Sequence, residues 1–71
     1  MREFLYQMHC EIQGTAIKHT HIVTFWSAEI DANKNLRAAR KMAAKNCNVK
    51  LKNVSIIPGE IRVLESRSTD A

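Results

Sequence analysis

EFLYQMHCEIQGTAIKHTHIVTFW, residues 3–26, is the stretch that decides the fold. From residue 3 to residue 12 the chain alternates strictly. Phe4, Tyr6, Met8, Cys10 and Ile12 fall on one side, and Leu5, Gln7, His9 and Glu11 on the other. A period of two is that of a strand with one face buried. Gln13-Gly14-Thr15-Ala16 is the expected turn, with Gly14 free to take a positive φ. Residues 17–26, rich in β-branched and aromatic types, form the return strand. Setting Ile12 against Ile17 also sets Glu11 against Lys18, Tyr6 against Val23 and Phe4 against Phe25. Apolar residues then meet across the hairpin, and the one opposite-charge pair adds at most about 1 kcal/mol. This is the register the pattern predicts.

Downstream the period changes from two to 3.6. Ser27 and Asp31 are both good N-cap types, and Asp31 is preferred because Ile30 falls on the wrong side of the helical wheel. Ala32, Leu36, Ala39, Ala43 and Cys47 make a narrow apolar stripe with Met42 at its edge. Mostly alanine, that stripe lets a helix lie close against a sheet. Asn46-Cys47-Asn48 ends it, and either asparagine tolerates a left-handed cap. Val49 and Leu51 then alternate with Lys50 and Lys52, and Asn53 shifts the phase, so a bulge is expected there. Val54 and Ile56 face inward, as do Ile61 and Val63 beyond Pro58-Gly59. A Pro-Gly pair prefers a type II turn, which twists poorly into a tight hairpin. Residues 54–64 are therefore either a hairpin or one kinked edge strand.

The predicted class is α+β: a β-hairpin, one α-helix, then one or two further strands, in the order ββαβ(β). The helix covers one face of an antiparallel or mixed sheet and the other face stays open. With 71 residues, 45% of them apolar and 25% charged, the chain suits one compact domain over 1–65 with a flexible tail over 66–71. No stretch nears the roughly 18 apolar residues of a membrane span, and the first residues lack the pattern of a signal peptide. Cys10 and Cys47 show no paired spacing and read as free thiols in a reducing compartment, which points to the cytoplasm.

The distribution of charge says more than the net value of +4. Between Asp31 and Glu60 there is no acidic residue, yet seven of the eleven basic residues lie there: Lys34, Arg37, Arg40, Lys41, Lys45, Lys50 and Lys52. Lys34, Arg37, Lys41 and Lys45 fall within about 80° of arc opposite the apolar stripe, with Arg40 flanking them. Like charges so spaced repel by about 0.2–0.5 kcal/mol per pair, and a helix optimised only for stability would mix signs. The stripe spans about 16 Å, enough to follow several backbone phosphates. These seven residues are the candidate nucleic-acid contacts.

The open sheet face offers a second candidate. Leu5, Gln7 and His9 lie there beside Ile22, Thr24 and Trp26, a patch suited to a protein contact. Trp26 is one aromatic where RNA-binding sheets present two or three, and at a strand end it also fits packing under the last strand or the tail. In the predicted register Cys10 faces His19 and Met8 faces His21, which would bring three metal-ligand types together without a fourth. No metal site, catalytic residue or cofactor is expected: the only glycines are Gly14 and Gly59, and no carboxylate pair stands out. The sequence thus points to a non-enzymatic binding module for nucleic acid or an acidic protein surface. The alternative is a protein-binding modulator, of the kind of small bacterial or phage inhibitors, docking by a sheet edge or the Trp26 face. An open four-stranded sheet also invites a homodimer through an edge.

Overall fold

The computed structural model of the chain describes residues 1–14 and 18–68. Strand β1 (Arg2–Ile12) pairs antiparallel with β2 (His19–Ser27); helix α1 (Ala32–Cys47) follows, then a 3-10 turn (Leu51–Asn53), β3 (Val54–Ile56) and β4 (Arg62–Ser68). The sheet is antiparallel throughout, with one helix between β2 and β3, as the predicted order requires. β2 occupies one side of β1 from Phe4 to Ile12, so β3 and β4 share the other side end to end. β3 lies against Cys10–Ile12 and β4 against Arg2–Gln7. Residues 54–64 are thus the interrupted edge strand rather than the hairpin. The interruption is a turn at Pro58-Gly59, in which Gly59 takes φ 83° and Glu60 N–H donates to the Ile57 carbonyl. That φ is the third-position value of a type II turn. Among the described residues no helix is long and apolar enough to cross a membrane.

The hairpin register differs from the predicted one by two residues. Ile12 faces His19, Cys10 faces His21, Met8 faces Val23 and Tyr6 faces Phe25. Thus Met8 does not oppose His21, nor Cys10 His19. A slip of two leaves every side chain on its predicted face, which is why pattern alone did not exclude it. The connection from Ile12 to His19 is accordingly longer than expected, and Gln13 N–H beyond the strand donates to the Asn53 carbonyl at 2.8 Å. Glu11 and Lys18 still meet, as a diagonal ion pair at 3.6 Å. Ile17 lies outside the described residues.

The core sits between α1 and the Met8–Ile12 half of β1. Met8, Cys10, Ile12, Val23, Val54, Ala39, Ala43 and Ala44 are its buried apolar members. Ala39 and Ala43 are fully buried, so the helix backbone lies close on the sheet. Ala32, expected in the stripe, is exposed at the first turn. Asp31 is the N-cap, its side chain accepting from Asn33 N–H, and Asn48 closes the helix in the left-handed region at φ 54°. Val49 N–H returns to the Ala44 carbonyl at 3.0 Å, completing the cap.

Residues 49–53 form no strand, and no bulge forms at Asn53. The backbone there is committed elsewhere: Val49 to the helix cap, Asn53 N–H to the Lys50 carbonyl, and the Leu51 and Val54 carbonyls to Arg40. Arg40 Nε donates to Val54 O at 2.9 Å and Nη2 to Leu51 O at 3.1 Å. The side chain thereby ties the 3-10 turn and the start of β3 to the helix. Replacing Arg40 by alanine is expected to cost about 2–3 kcal/mol in urea unfolding, because two part-buried carbonyls lose charge-assisted donors. Arg40→Lys should recover less than half of that, since an ammonium lacks the planar fork that reaches both carbonyls.

β4 differs from expectation in two respects. It extends through Ser68, so residues 66–68 of the predicted tail are strand, while 69–71 lie outside the described residues. Its residues are all exposed; Val63, paired with Tyr6, and Ile61, which lines a cavity with Tyr6, Met8 and Leu36, lie on the expected inward face but stay exposed. The cause is that α1 ends its cover before this half of the sheet: the helix touches β1, β2 and β3. A register shift between Leu5 and Tyr6 also bulges β4 at Leu64.

Candidate nucleic-acid interface

The apolar stripe of α1 fixes its opposite face toward solvent, and that face carries Lys34, Arg37, Lys41 and Lys45, all exposed. Among the described residues only Lys34 of these four meets a carboxylate, Glu29 Oε1 at 3.7 Å, in an exposed pair. Arg37, Lys41 and Lys45 pair with no carboxylate among the described residues. Lys50 and Lys52 are exposed on and beside the turn that Arg40 holds, beyond the C-terminus of the helix. Arg40 itself is half-buried with its guanidinium spent on the two carbonyls, and is a structural tether more than a free cation.

Between this face and the β3 edge lies an open groove of about 540 Å³ lined by Asn33, Lys34, Leu36, Arg37, Arg40 and Ile56. Three cations stand at its wall and floor, with no carboxylate in the lining. The groove and the stripe together form one continuous positive surface on the helix side of the domain.

The six residues of the protein-contact candidate come together as three adjacent cross-strand pairs: Leu5 with Trp26, Gln7 with Thr24 and His9 with Ile22. Trp26 is not an open platform. The Arg67 guanidinium sits 4.0 Å from its ring centroid, and Arg67 Nε is held by Glu3 Oε1 at 3.0 Å. The residue that covers Trp26 thus comes from the segment read as tail. A cation stacked on the indole face competes with any base for that surface.

His21 Nε2 lies 3.4 Å from Asn46 Nδ2, and His19 is exposed opposite Ile12. Among the described residues no group of three or more histidine, cysteine or acidic side chains is placed to hold a metal ion. Both cysteines are free; the Cys10 thiol is held above its ordinary pKa of 9.0 by burial, then by Cys47, with Arg40 opposing. The Cys10 side chain is fully buried in the core. Compared with family models, curated proteins and solved structures, the chain matches none. Function must be argued from the surface itself.

Sequence reasoning did not single out Asn35, the one buried polar residue among those described. It accepts from Ser27 Oγ at 2.6 Å and donates to the Glu29 carbonyl at 3.0 Å, fixing the β2–α1 connection and hence the direction of the basic helix. The signal was present, since Asn35 precedes Ala39 by four residues and so falls on the buried side.

Proposed function

We propose that this domain is a non-enzymatic nucleic-acid-binding module of the cytoplasm that grips the phosphate backbone with the outer face of α1. The observation that carries this reading is the run of exposed cations Lys34, Arg37, Lys41 and Lys45, continued by Lys50 and Lys52, with a single carboxylate among them. Phosphate contacts position a protein without reading bases, so binding is weakly sequence-selective. Arg40 supports the surface by holding the turn, and contributes its charge to the groove wall.

The test is fluorescence anisotropy of labelled single- and double-stranded oligonucleotides titrated with the protein at several salt concentrations. The expected log–log slope of affinity against salt is about −4, corresponding to four or five neutralised phosphates. No binding at low salt, where the electrostatic term is largest, would retire this reading. The same cations would then be tested against an acidic protein surface.

A further inference from the structure

The two edges of the sheet are not alike. On the β3–β4 side the edge is broken by the 57–61 segment with Pro58, bulged at Leu64, and charged at Arg62, Glu65 and Arg67. Charges, proline, bulges and short strands are the devices that keep an edge from pairing with another chain. On the other side β2 has none of them. His19–Ser27 contains no acidic residue, lysine, arginine or proline, and its nine pairs with β1 run without a shift.

The direction of its backbone groups follows from the ladder. Ile57 N–H donates to the His9 carbonyl and Gln13 N–H to the Asn53 carbonyl, so odd residues of β1 bond toward β3 and even residues toward β2. The partners of those even residues on β2 are residues 19, 21, 23, 25 and 27. Thr20, Ile22, Thr24 and Trp26 therefore turn their N–H and C=O groups to the outer edge, where no strand of the described residues lies.

We propose that β2 pairs antiparallel with β2 of a second copy of this chain, forming a two-fold dimer with one continuous sheet. The edge is self-complementary. A two-fold axis at Ile22 sets that residue, 50% exposed in the single chain, against its own copy, and sets Thr20 against Thr24. His21 then faces Val23 and His19 faces Phe25, so neither histidine opposes another and no like charges meet along β2. The assembly also closes. Each copy has one unguarded edge and one guarded edge, so pairing stops at two chains instead of propagating into a fibre. The axis is perpendicular to the sheet, which puts both helices, and both basic faces, on the same side.

Sedimentation velocity or light scattering of the full chain without nucleic acid, from micromolar to submillimolar concentration, reads the proposal directly and independently of the nucleic-acid reading. The wild type is expected to approach the mass of two chains as concentration rises. Ile22→Lys places two ammonium groups opposite each other and should weaken the dimer at least about tenfold. Ile22→Pro removes an outward N–H while leaving the bonds to β1 in place, and should do the same. Val63→Lys, on the guarded edge, should leave the mass unchanged. Circular dichroism confirms that each variant is folded. A wild type with the mass of one chain throughout overturns the proposal, and leaves the β2 edge for a strand of another protein. Undiminished dimer in both Ile22 variants, or loss of dimer in Val63→Lys, overturns it equally.

Discussion

A protein carrying Arg37→Glu and Lys41→Glu is expected to bind oligonucleotides about a hundredfold more weakly than its parent, with the salt slope reduced by about two. Each substitution removes one phosphate contact and adds a repelling charge. Two reversals change the net charge by four, from +4 to zero, and the change is concentrated on one helix face. Both side chains are exposed, and among the described residues neither is engaged by a carboxylate, so nothing in the fold depends on them. The helix should gain slightly. A glutamate in place of Lys41 precedes Lys45 by four residues, and one in place of Arg37 follows Lys34 by three, both favourable pairings. Loss of affinity in this variant therefore cannot be assigned to unfolding, and circular dichroism with a urea titration checks the point. Arg40→Ala is the converse probe, expected to lose stability while the phosphate-contacting face keeps its four cations. If the double reversal binds as tightly as the parent, α1 is not the nucleic-acid surface.

How much of this could be read from the sequence follows from which periodicities are unambiguous. The alternation of Phe4 to Ile12 and the Leu36–Ala39–Ala43 spacing each admit one secondary structure, and both are realised. The caps at Asp31 and Asn48 were legible because few side chains suit those positions. Hairpin register was not, because slipping β2 by two residues keeps every side chain on its face of the sheet and keeps Glu11 near Lys18. The bond from Gln13 to Asn53, forty residues downstream, continues the β1–β3 ladder beyond Ile12 and is compatible with either register. The supposed strand at Val49–Lys52 failed for a different reason. Its alternation was genuine, but the helix cap and Arg40 claimed its backbone groups first. Among the candidate cations, Arg40 also carried a warning in its spacing. It follows Leu36 by four residues and precedes Ala43 by three, both of which face the sheet, so it was placed to reach inward.

Ile12→Ala should be the most damaging single truncation. Ile12 is fully buried at the point where β1 is paired on both sides, with His19 on one strand and Val54 on the other. The largest fully buried side chains are Met8, Ile12, Val54 and Cys10, with the remaining buried apolar members mostly alanine. Alanines leave neighbouring side chains little capacity to move into a void, so the lost transfer energy and the cavity both count, at about 3 kcal/mol. A domain of this length has about 4–10 kcal/mol in total, so the variant loses roughly 30% or more of its stability. The thermal midpoint should fall by about 12–24 °C, read by circular dichroism at a fixed protein concentration because association would otherwise add to it. Ile12→Val, which leaves most of the volume filled, should cost about 1 kcal/mol. The ratio of the two decides the matter. A truncation to alanine no worse than the valine variant would mean that the Met8–Ile12 half of β1 is not where the domain is held together. The helix carrying the basic face would then rest on contacts other than these.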